Sequence, residues 1–469
     1  MDPVHIFCYC STTVPNRFAH PIQILKTVRA LAEQPGVRVT LYFVSLGTKP
    51  RAIWRYYGMK PLPNVRVRGM VPSWYFRLMK LNNHLCPEQQ KIFHLVRWRL
   101  ARELRRVART ERAFIYTRNE NAITMMRKSA DAAGIPMYLE LHWFKHLDWF
   151  RKLPWNQSRE VAPPPIGEYK RLLRKLKANE REVLNQADGI LCLTDEIRKV
   201  LSRWNLKCPL TTLPSGVELI APEELRANGV EPAELESDDS EEEVAAGGDL
   251  GGADDGDDSA DGDAAQDEAI ATTDTSPPNR TPLDILYLGQ LYPWKGVDLL
   301  VQAMAHLPEY RLTIVGGNRD KDKNRVKSLA RELGVNGRVN LVGHISHPKV
   351  KRYIRKARVC VVPLPRAGYR EARFFTSPMK LFEFAAWGKV IVASDLPTLR
   401  EVLTHGQNAL LVRPDDPVAL AEGLREALEN QPLREQLAAG ALKLAQDHAY
   451  ENRARRILEF CRPGGKVTA

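Results

Sequence analysis

The chain has 469 residues, a length that exceeds one ordinary hydrophobic core and predicts two domains. Its apolar fraction of 44% is typical of a globular protein. No apolar run reaches the roughly 18 residues of a membrane-spanning helix, and the N-terminus MDPVHIFCYC lacks the features of a signal peptide. These observations together predict a cytoplasmic protein. The formal net charge is +13, although residues 231–274 hold 18 Asp and Glu and no Lys or Arg, so without these 18 negative charges the rest of the chain carries +31. This positive charge favours anionic partners such as nucleotide phosphates, acidic lipids, lipid-linked phosphates or nucleic acid.

The first half alternates short apolar runs with helical patterns. Val4–Cys10 predicts a buried strand, and a helical pattern follows from about Pro21 to Glu33. Further strands are predicted at Val37–Leu46, Val65–Met70, Ala113–Thr117, Pro136–Leu141 and Gly189–Leu193. Apolar runs without polar alternation are typical of strands that are covered on both faces, and their alternation with helices predicts a parallel sheet.

The acidic stretch EEEVAAGGDLGGADDGDDSADGDAAQDE is too poor in apolar residues to offset its ordering entropy, so it predicts disorder. It is followed by Ser276, Pro277 and Pro278 just ahead of a new strand, which is typical of an insertion between two domains. We therefore predict an N-terminal domain at 1–218, a disordered acidic linker at 219–280, a C-terminal domain at 281–447 and a last helical segment at 448–469 that is a candidate to cross back to the first domain.

The second half repeats the alternation of strands and helices more cleanly. Strands are predicted at Leu283–Leu288, Leu312–Val315, Val339–Val342, Val359–Pro363 and Val390–Ala393. Two such halves predict an α/β protein with two Rossmann-like, doubly wound domains that face a cleft. In sheets of this kind, ligands bind outside the carboxyl ends of the strands.

The segment YLGQLYPWKGVDLL (residues 287–300) places a lysine at such a strand end. A strand ends near Gly289, a short loop follows, and Lys295 stands just before a helix. The compact charge of a lysine at this place suits a diphosphate. The alternative is a solvated lysine near a helix start.

The segment RFFTSPMKLFEFAAWGKVIVASDLP (residues 373–397) predicts a capped helix with an acidic residue on its second turn. Thr376 or Ser377 can cap the helix and Pro378 fits its first turn, so the free amides there form an anion site. Glu383 can accept hydrogen bonds from both hydroxyls of a ribose. The alternative is an ordinary capped helix with one exposed glutamate.

Taken in order, these segments resemble the retaining glycosyltransferases of family 4 (glycosyl transferases group 1), which have the GT-B architecture. The resemblance covers nearly all of residues 283–447. Its elements are Gly289-Gln290-Leu291, Lys295-Gly296, VGG at 315–317, LVGHI at 341–345, VVPL at 361–364, Glu383, Gly388, VIVASDLP and HGQNALLVRPDDPVALAEGL.

The resemblance implies a donor site for a nucleoside diphosphate sugar, with Lys295 on the diphosphate and Glu383 on the ribose. The donor-binding residues that it implies are Gly289, Gln290, Lys295, Ser377, Pro378, Met379, Lys380, Leu381 and Glu383. Two positions depart from the family pattern. Gln290 replaces the arginine that binds phosphate, and Phe375 replaces the first glutamate of a pair, which reads sugar hydroxyls; Arg373 and Lys380 are candidates to compensate.

The first half resembles the family less. A strand in MYLELHWF ends near His142, where family members have a histidine near the donor sugar, and this likeness implies that His142 contacts the sugar or orients the reacting groups. The alternative is a structural histidine. The loop after the first strand holds Arg17 and His20, which are candidates to face the acceptor or the donor phosphate, or else ordinary residues at a helix entry.

Two segments mix aromatic with basic residues, at 71–80 and 142–155, and a basic stretch runs from Lys91 to Arg112. This composition suits an interface with anionic lipid and an acceptor on a lipid carrier, but it equally suits a solvated basic face. No recognised nucleic-acid-binding module is present, so no nucleic-acid partner is expected.

The sequence therefore predicts an enzyme that transfers a sugar to a hydroxyl acceptor, either a saccharide or a lipid-linked glycan, with retention implied by the family. The catalytic candidates are His142, Lys295 and Glu383. No carboxylate-rich metal site is evident, so we predict chemistry without a metal or other cofactor. The alternatives are a nucleotide-sugar epimerase, a non-catalytic protein that kept the fold, and a basic scaffold that adheres to membranes.

Overall fold

The computed structural model describes residues 3–15, 19–71, 88–147, 165–230, 282–345, 347–366 and 379–461. In these ranges the chain forms two α/β domains, each built on one parallel sheet. The predicted α/β class with two Rossmann-like domains is confirmed. The acidic insertion from residue 231 to residue 281, for which the sequence predicts disorder, lies outside the described residues.

The first domain contains a seven-stranded sheet in the order β3-β2-β1-β4-β5-β6-β7. Its strands are β1 (Val4–Val14), β2 (Val37–Leu46), β3 (Val65–Gly69), β4 (Arg112–Thr117), β5 (Met137–Leu141), β6 (Gly189–Cys192) and β7 (Leu210–Thr212). The helices up to the acidic insertion are α1 (Ala19–Ala32), α2 (Pro50–Tyr56), α3 (Glu88–Ala108), α4 (Glu120–Asp131), α5 (Ile166–Leu184), α6 (Asp195–Ser202) and α7 (Pro222–Arg226).

The second domain contains a six-stranded sheet in the order β10-β9-β8-β11-β12-β13. Its strands are β8 (Leu283–Leu288), β9 (Leu312–Val315), β10 (Val339–Gly343), β11 (Ala357–Val362), β12 (Val390–Ser394) and β13 (Leu410–Val412). The helices after the insertion are α8 (Val297–Ala303), α9 (Asp320–Glu332), α10 (His347–Lys356), α11 (Met379–Ala386), α12 (Pro397–Arg400), α13 (Pro417–Glu429), α14 (Gln431–Asp447) and α15 (Tyr450–Phe460).

Both sheets are covered on both faces, as the apolar runs predict. In β1, Ile6 and Cys8 belong to one buried cluster and Phe7 to another, because successive side chains point to opposite faces of a strand. The second sheet likewise separates two buried clusters, with Leu286 in one and Ile285 in the other. Burial on both faces explains why these strands show no polar alternation.

The last helix, α15, follows the second domain in the chain but packs against α1 of the first. Its residues Ala454, Ile457 and Leu458 are buried in the same cluster as Ile6 of β1. Gly216 permits this close approach, because a Cβ atom there would lie 2.9 Å from side-chain atoms of Arg453 and Tyr450. The core of the first domain therefore includes a helix supplied from beyond the second domain.

The predicted linker at 219–280 begins with a folded segment. Helix α7 buries Leu225 in a core cluster of the second domain, and the side chain of Val230 packs beside Gly388. Ile220 packs against the same cluster, and the apolar residues of this short segment are interrupted by acidic and polar ones, so they gave no recognisable pattern. Within the described residues, the second domain thus takes part of its core from before the insertion.

A direct polar contact joins the two domains at the N-terminus of α6. The carboxylate of Glu401, just after α12, accepts hydrogen bonds from the backbone amides of Asp195 (2.7 Å) and Glu196 (3.1 Å). Burial and the like charges of these two acids raise the pKa of Glu401, while the two amide bonds oppose that effect. A carboxylate of one domain therefore caps a helix of the other.

We expect Gly216→Ala to lower the stability of the full chain by about 1–3 kcal/mol, because the added methyl group would overlap α15. Chemical unfolding measures the loss. Gly337→Ala is the matched control, since no atom lies within 4 Å of the Cβ position there. Equal stability of the two variants would contradict the tight seat of α15 on the first domain.

Candidate active site

The second domain has a topological switch point between β8 and β11. From β8 the chain proceeds outward to β9 and β10, and then returns to β11 on the other side of β8. The loops after β8 and β11 therefore diverge at the carboxyl edge of the sheet and leave a crevice between them. Such a crevice is where ligands bind in open α/β sheets.

The loop after β8 is held close to the loop after β9. Gly316 has a φ of +128°, and a Cβ atom there would lie 1.9 Å from the carbonyl oxygen of Gly289. The side-chain oxygen of Gln290 accepts a hydrogen bond from the backbone amide of Asn318 (3.3 Å). Gln290 thus joins the two loops, and Gly289 lies at their contact.

Lys295 lies between the ends of β8 and β11. It ends a short 3-10 helix, Pro293–Lys295, and the next residue, Gly296, has a φ of +78°. A Cβ atom on Gly296 would lie 1.6 Å from the carbonyl oxygen of Pro363, which follows β11. Only glycine permits this approach, and it brings the Lys295 backbone to the switch point.

The ammonium group of Lys295 is only partly solvated, and burial lowers its pKa. Among the described residues, no carboxylate forms an ion pair with it. A partly desolvated cation without a counter-charge is unfavourable, so a bound anion at this place would be stabilised. A phosphate in this crevice would meet an ammonium group that no carboxylate of the described residues pairs with.

Helix α11 presents one acidic side chain from an otherwise buried surface. Leu381, Phe382 and Phe384 are buried, whereas the side chain of Glu383 is 23% exposed and pairs with Lys380 at 2.8 Å. Met379 begins the helix, and the side chain of Leu381 belongs to the core. Ser377 and Pro378, as well as Arg373 and Phe375, lie outside the described residues.

Glu383 lies near the first domain. Burial alone would lower the pKa of Lys26 on α1, but the carboxylates of Glu218, bonded at 2.9 Å, and of Glu383 raise it overall. Lys295 and Glu383 form no ion pair with each other. The structure thus puts Lys295 at the switch point of the second sheet and Glu383 at the border with α1.

The first domain has its own switch point between β1 and β4. His20 on the first turn of α1 follows β1, Arg118 follows β4, and His142 follows β5. Burial, together with the charges of Arg118 and His142, lowers the pKa of His20 to about 4, so the three groups are within electrostatic range of one another. The sequence-predicted residues His20 and His142 are therefore together, while Arg17 lies outside the described residues.

His142 contacts a buried carboxylate. Its Nε2 atom is hydrogen-bonded to Glu140, whose side chain is fully buried, while the imidazole itself remains 28% exposed. The guanidinium groups of Arg118 (3.0 Å) and of Arg453 from α15 (2.7 Å) flank the same carboxylate. Arg453 thus reaches a first-domain site from the last helix.

Sequence reasoning missed Glu140, Arg118 and Arg453. One signal was available, since Glu140 is a charged residue within the apolar strand β5, and such a residue requires buried partners. Arg118 follows β4 directly and was a candidate partner for the same reason. Nothing in the local sequence distinguishes Arg453 from the other arginines of α15.

Two kinds of feature are absent from the described residues. No helix in these ranges is both long and apolar enough to cross a membrane. No cluster of three or more His, Cys, Asp or Glu side chains with the geometry of a metal site occurs in the same ranges.

Comparison with known proteins identifies the second domain. Residues 272–444 match the family model described as glycosyl transferases group 1. The predicted resemblance is confirmed for this domain. The narrower assignment to family 4 stays a prediction.

The curated relatives match over a limited part of the chain. A protein of Nocardioides sp. named D-inositol 3-phosphate glycosyltransferase is 32% identical over 195 residues, which are 38% of this chain and 41% of that protein. The chain thus spans well under half the length of the curated relatives it matches.

The solved structures match over both domains. Sucrose-phosphate synthase from Thermosynechococcus elongatus superimposes with a TM-score of 0.59 at 18% identity, covering 97% of each chain. The Anabaena protein HepE, in complex with UDP and glucose, superimposes with a TM-score of 0.56 at 14% identity, covering 97% of this chain and 98% of that one. These matches confirm the GT-B fold.

We expect His20 to make the free energy of unfolding depend on pH. Its pKa is about 4 in the folded protein, against an ordinary value of 6.5, so between these values the unfolded chain binds the proton and the folded chain does not. Stability is therefore complete above pH 6.5 and falls as the pH decreases toward 4. His20→Asn should flatten this decline in urea unfolding at pH 7.5 and pH 5.

The matched control is His306→Asn, at an exposed histidine of the second domain. It should retain the decline of the wild type. A His20→Asn variant as pH-sensitive as the control would contradict the burial of His20 in the cluster.

Proposed function

We propose that the protein is a glycosyltransferase that moves a sugar from a nucleoside diphosphate sugar to a hydroxyl acceptor. The observation that carries the proposal is the position of Lys295, an ammonium group with no ion-pair partner among the described residues, at the switch point of the domain that matches the glycosyl transferases group 1 model. This is where a diphosphate would find both a cation and the amides of tightly turned loops.

The chemistry requires an anion to be stabilised as it forms. The bond between the anomeric carbon and the diphosphate oxygen breaks, its electron pair goes to the diphosphate, and a new bond forms to the acceptor oxygen, whose proton is released. Lys295 would offset the charge that develops on the leaving diphosphate. Glu383 would hold the ribose, and closure between the domains would exclude water, which competes with the acceptor.

The two halves of the proposed site meet at helix α1. His20 begins this helix beside His142, and Lys26, two turns later, lies near Glu383. A donor bound across Lys295 and Glu383 would therefore extend its sugar toward His142. Retention of configuration and the contact between His142 and the sugar are implied by the family 4 resemblance and are part of the proposal.

For the acceptor we propose only a chemical class, a hydroxyl group of a saccharide or of a lipid-linked glycan. The curated relatives named for D-inositol 3-phosphate match only about 40% of their own length. The nucleotide base is open as well, and UDP is the first ligand to test because the structurally similar HepE was solved with UDP and glucose.

We expect Lys295→Ala and Glu383→Ala each to weaken nucleoside diphosphate binding at least ~10-fold, since a charged hydrogen bond contributes about 1.5–3 kcal/mol. A thermal-shift screen of nucleoside diphosphates and their sugars identifies the ligand, and calorimetry then gives its affinity. Lys327→Ala, at an exposed lysine on α9, is the matched control and should bind like the wild type.

Turnover distinguishes the rival functions. A glycosyltransferase consumes donor faster when an acceptor is present, whereas an epimerase converts donor without one. Equal rates of donor consumption in the wild type, Lys295→Ala and Glu383→Ala would remove the proposed site. Tight nucleotide binding without any donor consumption would favour a non-catalytic protein that kept the fold.

An anionic membrane surface is the second proposed partner, and helix α3 supports it. The exposed arginines of this helix are Arg99, Arg102, Arg105 and Arg106, and Arg109 directly after the helix is exposed as well. Trp98 beside them is 54% exposed, and Arg102 stacks on its ring at 5.7 Å. Residues 72–87 and 148–164, which hold most of the aromatic and basic segments predicted from the sequence, lie outside the described residues. A protein held on the cytoplasmic face of a membrane would meet a lipid-linked acceptor there.

We expect the wild type to float with vesicles that contain anionic lipid and not with neutral vesicles. Replacing Arg102, Arg105 and Arg109 by Glu should lower the bound fraction at least ~10-fold, because each basic residue near such a surface contributes about 1 kcal/mol. Replacing Lys321, Lys327 and Arg331 of α9 by Glu makes the same change of charge elsewhere. Equal flotation of the two triple variants would contradict a specific role of α3.

A further inference from the structure

Among the residues that the structure describes, the ion cluster around Glu140 contains one more cation than charge balance needs. The side chains of Glu140, Arg118 and Arg453 are 0%, 4% and 3% exposed. One guanidinium group would neutralise the carboxylate. The second, on Arg453, must therefore have another consequence, since burying an additional charge is costly.

The two arginines divide the carboxylate between them. Arg453 lies 2.7 Å from Oε2 of Glu140, whereas Arg118 lies 3.0 Å from Oε1, the oxygen that also contacts Nε2 of His142. Each oxygen of the carboxylate is therefore paired with an arginine, and rotation of the carboxylate away from the imidazole would separate at least one of these ion pairs. Arg453 thus holds the carboxylate through the oxygen that does not contact His142.

Arg453 is itself held by the first domain. Its Nε atom donates to the carbonyl oxygen of Pro214 (3.0 Å), and one of its terminal nitrogens donates to the hydroxyl of Thr27 (3.4 Å). Gly216 leaves the space through which its side chain passes. The guanidinium group therefore transmits the position of α15 to Glu140.

The carboxylate determines the proton arrangement of His142. Burial lowers the pKa of this histidine, Glu140 opposes the effect, and Arg118 and Arg453 add to it. An ionised carboxylate only accepts hydrogen bonds, so Nε2 of a neutral His142 carries the proton and Nδ1 keeps its lone pair. A histidine in this state offers Nδ1 as a hydrogen-bond acceptor.

We propose that Arg453 is a positioning residue that clamps Glu140 against His142 and so presents Nδ1 of His142 as an acceptor to a hydroxyl group of the donor sugar. The last helix of the chain thereby supplies part of the first-domain half of the site. The contact with the sugar rests on the proposed function, whereas the state of the imidazole does not. The groups around His142 that bear on it are Glu140, Arg118, Arg453 and His20.

The imidazole can be observed without any substrate. In the full chain labelled with 15N-histidine, nitrogen chemical shifts report which ring nitrogen carries the proton, and the spectrum of His142→Gln assigns the signals. The wild type should show His142 protonated on Nε2. Arg453→Met should give a mixture of both tautomers and a higher pKa of His142, and Arg453→Lys should restore the wild-type state in part.

Arg455→Met is the matched control, because Arg455 lies on the exposed side of the same helix. It should leave the signals of His142 unchanged. If Arg453→Met does not fold, Glu140→Gln tests the same relation. Its amide NH2 would face His142 while its oxygen faces the arginines, and the proton should move to Nδ1. The proposal would be overturned if the His142 signals of Arg453→Met were the same as in the wild type. If Glu140→Gln is used instead, unchanged signals in that variant would overturn it.

Kinetics provide the second readout. With the donor identified, folded Arg453→Met should raise the KM for donor at least ~10-fold more than Arg455→Met does. Normal imidazole signals in a wild type without turnover would contradict the proposed function and leave the clamp intact. Turnover that is insensitive to Arg453→Met, together with an unchanged tautomer, would remove the clamp and leave the function.

Discussion

The first-domain half of the site depends on one buried carboxylate. Glu140 is a charged residue in the middle of an apolar strand, and it is stable there because Arg118 and Arg453 flank it and His142 contacts it. Burial alone would raise the pKa of Glu140, but Arg453 and His142 hold it well below its ordinary value, so the carboxylate is ionised at neutral pH. The same cluster attaches the last helix to the first domain. One set of interactions therefore both holds the fold together and sets the surroundings of His142.

The second-domain half is built in a different way. Close backbone approaches at glycines, rather than ion pairs, hold this half together. The loops after β8, β9 and β11 meet at the strand ends, where Gly316 contacts Gly289 and Gly296 contacts Pro363. This packing brings the charged side chain of Lys295 to the β8–β11 crevice. The first domain therefore carries a buried cluster that includes a carboxylate and a histidine, and the second carries a lysine with no ion-pair partner among the described residues, a difference that suits a ligand with an anionic end and a neutral, hydroxyl-rich end.

Much of the fold could be predicted from the sequence, because buried parallel strands appear as continuous apolar runs. The runs at 37–46 and 283–288 coincide with β2 and β8. The edge strands β7 and β13 were missed, since each has only three residues and is only partly buried. Lys295 was predictable because the features that place it are local, a strand end followed by a glycine.

Arg453 was not predictable, because its partner Glu140 lies far away in the sequence, on the other side of the second domain, and sequence periodicity does not reveal contacts at that separation. The role of Glu401 was hidden for the same reason, since the amides that it caps belong to the other domain. The resemblance in the second half indicated the family pattern, but it carried no information about these contacts between distant segments.

The position of α15 also has a consequence for synthesis. A ribosome makes the chain from the N-terminus, and domains commonly fold as units in that order. Here the first domain emerges early but lacks Ala454, Ile457 and Leu458 of its own core until α15 has been translated. Until then Glu140 has no Arg453 beside it, so the first domain stays incomplete while the second domain is translated. A premature stop just before α15 would remove part of the hydrophobic core and one arginine of the charge cluster.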